Sequence, residues 1–312
     1  VSKKIKIISP STSFEIAPNF NFDKSIEFFK QQGFEIELSN DWMSNQNDID
    51  LKLEAIHEAF SDQSTDIILC SFGGFLSVNL IDRLDYDLIK QNAKPFFGFS
   101  DITVLLNAIH SKTGITTYYG PLFLSFLSQF QRKFTLEYFN KALNDSETYL
   151  LRASETIMDY DDRNESTIRP NSYWVIQEGK AEGEVVGGHI PTLSLLQGTE
   201  YFPDLSEKIL LLEMNELEEG NSLTILNRLI KSLQLQKGFE NLKGILIGAF
   251  HTKCNITEEK LKLALNGLFK DFQFPIVANC NFGHILPIWS IPIGGKIEIE
   301  TENEIKIKVA NS

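Results

Sequence analysis

The sequence predicts an α/β fold built on a mostly parallel sheet, and three observations carry that expectation. In the first half, short β-branched or aromatic runs alternate with stretches of helical periodicity, the pattern of βαβ units. The length, 312 residues, suits about two domains at ~150 residues each. The character of the chain changes once, near its middle, where charged and polar residues displace the apolar periodicity.

Taken in order, residues 4–9 (KIKIIS) form the first strand-like run, closed by Pro10 and a Ser/Thr-rich loop. Residues 23–32 predict a helix stopped by Gly33, and 34–38 the next strand. After Asp48, the residues Ile49, Leu53, Ile56 and Phe60 share one helical face. Residues 66–70 (DIILC) read as a buried strand, followed by Phe72-Gly73-Gly74 and a helix through Leu84. A strand at 96–99 and a helix at 101–109 follow, and such units join by right-handed crossovers over a sheet covered on both faces. The stretches 144–147 and 159–165 (DYDDRNE) are polar, which places a linker here. The expected division is an N-terminal α/β domain at 1–150, a linker and substrate loop at 151–180, and a C-terminal domain at 181–312. In that second domain, strands are expected at 184–186, 208–212, 244–250 and 275–279, helices at 222–235 and after Asn255, and a hairpin at 296–309.

Composition narrows the function. Asp and Glu number 42 against 29 Lys and Arg, a formal net charge of −13. A surface this acidic repels phosphate backbones and anionic lipid, so neither a nucleic-acid nor a membrane partner is expected. The 24 Phe and 42% hydrophobic residues supply a core and exclude disorder. Val1-Ser2-Lys3-Lys4 leads straight into a strand-like run, and Cys70, Cys254 and Cys280 lack metal or CxxC spacing. Both features give the expectation of a cytoplasmic protein with no disulfide framework.

Ligand sites in open α/β sheets lie beyond the carboxyl ends of the strands. In Gly98-Phe99-Ser100-Asp101-Ile102-Thr103, a serine stands at a strand-to-helix corner. It reads either as a helix N-cap or as a nucleophile on a sharp elbow. Gly73-Gly74 follows another strand, as a tight turn or as a source of oxyanion-binding N–H groups. A serine nucleophile needs a base. His57 and His110 lie on predicted helices and read as structural, whereas His251 and His284 follow strands and His189 follows Gly187-Gly188. Glu213 ends the run KILLL as a solvated rim carboxylate or a site residue, and Glu216, Glu218 and Glu219 read as a solvated acidic loop. No H-E-x-x-H or comparable cluster supports a metal.

Read together, Ser100, Glu213 and His284 resemble the LD-carboxypeptidase family of serine peptidases, also called muramoyltetrapeptide carboxypeptidases, and within it the branch of the microcin C immunity proteins. The resemblance rests on Ile7-Ile8-Ser9-Pro10-Ser11, Gly73-Gly74 with Ser77, Gly98-Phe99-Ser100-Asp101-Ile102-Thr103, Tyr119-Gly120-Pro121, Gly187-Gly188, Leu211-Leu212-Glu213, Phe282-Gly283-His284 and Pro292-Ile293-Gly294-Gly295. It covers nearly the whole chain, in order. It implies an N-terminal parallel-sheet α/β domain, a smaller β-rich C-terminal domain and an active site in the cleft between them. Ser100 would be the nucleophile, Glu213 the orienting carboxylate and His284 the general base, with the N–H groups of Gly74 and Asp101 as the oxyanion hole. Gly73, Ser77 and Trp174 would bind substrate, with no cofactor and no metal, in a homodimer.

The chain departs from the family at His189, where Asn is usual, at Ala249, where Arg is frequent, and at Leu76-Ser77-Val78. These departures bear on substrate recognition and leave the three central residues in place. The expected reaction is hydrolysis of an L–D amide in a small muropeptide. A peptidyl- or aminoacyl-nucleotide amide is the second substrate class, and a non-catalytic two-domain binding protein or a metal-assisted hydrolase are the competing readings.

Overall fold

The computed structural model describes residues 2–13, 22–43, 47–144, 148–215 and 221–310. The N-terminal part runs β1 (Lys3–Ile8), α1 (Asp23–Gln31), β2 (Phe34–Leu38), α2 (Ile49–Ser61), β3 (Ile67–Cys70), α3 (Tyr86–Gln91), β4 (Phe96–Gly98), α4 (Thr103–Thr113), β5 (Thr117–Tyr119) and α5 (Arg132–Ala142). Four short strands follow, β6 (Tyr149–Leu150), β7 (Thr156–Asp159), β8 (Arg169–Pro170) and β9 (Trp174–Gln177). The remainder is β10 (Lys180–His189), α6 (Ile190–Leu193), β11 (Lys208–Glu213), α7 (Ser222–Gln234), β12 (Gly244–Gly248), α8 (Glu258–Phe269), β13 (Ile276–Cys280), β14 (Ile285–Leu286), β15 (Ile291–Ile293), β16 (Lys296–Glu300) and β17 (Lys306–Val309).

The architecture is the expected one: a parallel α/β sheet followed by a β-rich unit. The first sheet has the order β15-β5-β4-β3-β1-β2, parallel from β5 to β2. The second has the order β6-β17-β16-β10-β11-β12-β13-β9, and its centre, β10 to β13, is itself parallel. Asp48 and Asp85 cap α2 and α3 by accepting from Leu51 N and Leu88 N, the turn chemistry that starts these helices. β3 and β12 are buried from end to end, as strands sandwiched between helices must be.

Several expectations are corrected. The helix expected through Leu84 is a run of 3-10 turns, Ser77–Arg83, whose first N–H is held by the Asp101 carboxylate. The stretch read as a linker carries β7, β8 and β9, and β9 is an edge strand on β13. The polar residues Asp145, Ser146 and Glu147 lie outside the described residues, as do Glu216, Glu218 and Glu219. β15 has no counterpart among the expected elements. It returns from the second half to pair antiparallel with β5, closing the edge of the first sheet. Asn107 of α4 exchanges two hydrogen bonds of 2.9 Å with the Gly187 backbone on β10, which ties the sheets together. No helix among the described residues is long and apolar enough to cross a membrane.

Candidate active site

Side chains that follow the carboxyl ends of parallel strands in both sheets meet: Ser100 after β4, Glu213 at the end of β11 and His284 after β13. Ser100 follows β4 with φ +62°, a left-handed conformation that costs a non-glycine residue about 1–3 kcal/mol. Its hydroxyl does not cap the helix. Ser100 Oγ lies 3.1 Å from His284 Nε2, and Thr103 Oγ1 donates to the Ser100 carbonyl over 2.6 Å. Thr103 Oγ1 also accepts from His189 N at 3.1 Å, so one hydroxyl joins the serine turn to the second sheet.

Glu213 ends β11, with 1% of its surface exposed. Its Oε2 lies 3.0 Å from His284 Nδ1, and its Oε1 accepts from Tyr119 Oη over 2.6 Å. Burial opposes ionisation of this carboxyl. The attraction of His284 and His189, with the hydrogen bonds from His284 and Tyr119, outweighs it and holds the pKa down to about 2. Burial, then the neighbouring Glu213 charge, pushes the Tyr119 phenol well above its ordinary value, so it remains a donor. Two glycines make room for Glu213. A Cβ on Gly283 would stand 2.8 Å from its Oε2, and one on Gly248 would stand 2.9 Å from its Cβ.

His284 sits on the loop between β13 and β14. Asn281 anchors that loop: its Oδ1 accepts from Ser154 N and Asn171 Nδ2, and its Nδ2 donates to Ser154 Oγ and the Pro287 carbonyl. β14 pairs with β7, and Tyr160 N donates to the His284 carbonyl. Phe99 packs edge-on against the imidazole, with centroids 5.2 Å apart.

The Gly73-Gly74 loop passes beside the serine. A Cβ on Gly73 would lie 3.1 Å from Ser100 Oγ and 3.8 Å from Asp101 N. At Gly74, φ is +148° and a Cβ would collide with the Ser11 and Thr12 hydroxyls, so only glycine fits. Asp101 clamps these segments together. Its buried Oδ2 accepts from Ser11 Oγ at 2.6 Å and from Ser77 N at 2.9 Å. Ser77 is itself wholly buried, and its hydroxyl finds no partner among the described residues. Trp174 opens β9 opposite Ala278, half-buried against the main core.

The other histidines are accounted for. His251 pairs with Asp161 at 2.9 Å and Asp159 at 3.4 Å, and so is not the partner of Ser100. His110 bonds Glu184 and the Ile115 carbonyl, and His57 accepts from Asp85 N. His189 stands beside the site, its ring 5.3 Å from that of His284, with Nδ1 on Thr192 Oγ1 and Nε2 on Asn215 Oδ1. Burial above all, with repulsion from His284, lowers its pKa against the attraction of Glu213 and Asp101. His189, Glu213 and His284 each offer one metal-ligating atom, all within 4.8 Å of one another. The bonds of Tyr119 and Thr103 have no signal in the sequence beyond the place of Tyr119 at a strand's carboxyl end, where site residues are expected.

A hydroxyl, an imidazole and an ionised carboxylate in this chain form the arrangement that lets a serine attack a carbonyl. The profile of the LD-carboxypeptidase N-terminal domain matches residues 5–120, and that of the C-terminal domain matches residues 182–299. The chain is similar to the putative carboxypeptidase YocD of Bacillus subtilis, 35% identical over 95% of this chain and 93% of that protein. It is also similar to the probable murein peptide carboxypeptidase of the same organism, 27% identical over 91% of this chain and 86% of that protein. Among solved structures, the MccF-like protein of Bacillus anthracis superposes with a TM-score of 0.95 at 35% identity, over 100% of this chain and 97% of that one. The microcin C7 self-immunity protein MccF in complex with aspartyl sulfamoyl adenosine superposes with a TM-score of 0.87 at 25% identity, over 100% and 97%.

Proposed function

The chain belongs to the LD-carboxypeptidase family and is a carboxypeptidase-type hydrolase, and from that premise we propose that it cleaves an L–D amide next to a free carboxylate in a small muropeptide, using Ser100, His284 and Glu213. The observation that carries this reading is the unbroken chain from Ser100 Oγ through His284 to Glu213, at 3.1 and 3.0 Å. Ser100 Oγ attacks the carbonyl carbon while His284 Nε2 takes its proton. The N–H groups of Gly74 and Asp101 receive the developing oxyanion, a contribution of about 10²–10³ in rate per donor. His284 then gives its proton to the leaving amine, and the C–N bond breaks. Water, deprotonated by the same imidazole, hydrolyses the acyl-serine and returns the hydroxyl. Glu213 holds the proton of His284 on Nδ1 and stabilises the imidazolium. Tyr119 occupies its second oxygen, so the carboxylate keeps one orientation.

Gly73 sits where an acyl group on Ser100 would pass, and Ser77 shapes the loop from beneath through its N–H to Asp101. A second reading has one specific support: the relative MccF is solved with aspartyl sulfamoyl adenosine bound. In that reading the substrate is an aminoacyl- or peptidyl-nucleotide amide, with Trp174 on the nucleotide side. Incubating the protein with an L–D tetrapeptide and, separately, with an aminoacyl sulfamoyl adenosine, and weighing the products, separates the two. Release of the terminal amino acid from the tetrapeptide alone is the expected result. Cleavage of the nucleotide amide alone replaces it with the second reading. The homodimer belongs to the same proposal, and sedimentation equilibrium at about twice the chain mass is its expected signature.

A further inference from the structure

We propose that His189, Glu213 and His284 form an inhibitory binding site for a zinc-class divalent cation. The proposal's inhibitory part rests on the serine-hydrolase reading above. His189 and Glu213 are register partners at the ends of the parallel strands β10 and β11, so their side chains leave the sheet together. His284 Nδ1 is 3.0 Å from Glu213 Oε2, and the two imidazoles lie 5.3 Å apart. Two imidazoles and one carboxylate are a donor set suited to zinc, with a fourth tetrahedral position left open. Zinc–nitrogen distances of about 2.0–2.1 Å place tetrahedral ligands about 3.4 Å apart. The ligand atoms lie within 4.8 Å of one another, so the widest separation has to shorten by about 1.4 Å, while the 3.0 Å between His284 Nδ1 and Glu213 Oε2 has to open slightly.

The surroundings supply the outer contacts that such a site needs. Glu213 keeps Tyr119 on Oε1 while Oε2 turns to the cation. His189 has a partner on each nitrogen, Thr192 on Nδ1 and Asn215 on Nε2, so either nitrogen can be released while the other stays anchored. His284 keeps Nε2 toward Ser100.

The consequence for catalysis follows from the ring's proton. A cation seated between Oε2 and Nδ1 takes the Nδ1 lone pair, and the proton once held there moves to Nε2. An imidazole protonated on Nε2 no longer accepts the Ser100 proton, so the enzyme is switched off without leaving its fold.

The test titrates ZnCl2 into chelator-stripped Ser100→Ala protein by calorimetry, and follows peptide hydrolysis by the unsubstituted protein with ZnCl2 and then excess chelator. The expected results are one zinc per chain, inhibition reversed by the chelator, and zinc binding weakened by about tenfold or more in His189→Asn. Should His189→Asn fold poorly, Co²⁺ absorption in the unsubstituted protein reads the site directly. A four-coordinate spectrum displaced by ZnCl2 supports it and an octahedral one overturns it. Equal zinc affinity in His189→Asn, or a rate that zinc leaves unchanged or raises, also overturns the proposal. Retained hydrolysis in Ser100→Ala defeats the serine reading instead, and the calorimetry still reports on the zinc site.

Discussion

Ser100 holds φ +62° because both sides of its turn are tied: Thr103 grips its carbonyl, and the imidazole of His284 faces its hydroxyl. A serine serving only as a cap needs no such backbone. Glu213 shows the same economy of purpose, with both oxygens bonded in a buried setting. Its carboxyl is depressed to about 2 from an ordinary 4.5. A group with a lowered folded-state pKa stabilises the fold above its unfolded value and loses that contribution as pH falls through the folded value. The difference in melting temperature between wild type and Glu213→Gln therefore shrinks as pH drops from about 4.5 to about 2. Thermal melts at half-unit pH steps measure it, and a constant difference across that window contradicts the assignment. At this scale much was legible. Ser100, Glu213 and His284 stand just past or at strand ends, where sequence alone directs attention. Tyr119 and Thr103 were not legible as bridging groups, since their partners lie on the other sheet and depend on how the sheets dock.

Among the elements, the loop from β13 to β14 carries the tightest constraint. Gly283 has φ +95° and no room for a Cβ beside Glu213. Gly283→Ala is expected to displace the carboxylate or the imidazole and to lower kcat by on the order of 10²-fold, the usual cost of a misplacement near 1 Å. Steady-state kinetics with circular dichroism check it, and an unchanged kcat in a folded variant counts against the loop's role. Several of the longer elements are legible from periodicity, although the eleven-residue α5 has no counterpart among the expected helices. α2 keeps its apolar face at Leu53, Ile56 and Phe60, and the hairpin β16–β17 pairs across the expected turn. β7, β8, β14 and β15 have no counterpart among the expected strands: they are as short as β3 and β4, but they are not set in the alternation of strand and helix that marks those two. They exist because a neighbouring strand supplies their hydrogen bonds.

For the whole molecule, the sheets are not independent. β15 belongs by sequence to the second half and by pairing to the first sheet. The main hydrophobic core runs from Ile8 and Phe96 through Leu105 to Leu211 and Ile247 without a break. Such continuity couples their unfolding, so calorimetry is expected to show a single cooperative transition, and two resolved transitions would contradict it. The division into a half that carries Ser100 and a half that carries Glu213 and His284 therefore describes the order of the chain more than its energetics. The serine turn and the imidazole loop hold their places because the same packed core stands behind both.

The proposed role of Ser100 as the attacking group is decided by the rate of Ser100→Ala on an L–D tetrapeptide. A fall of at least about 10³-fold in kcat, with the fold intact, is the expected result. Hydrolysis at the wild-type rate by the folded variant would contradict it.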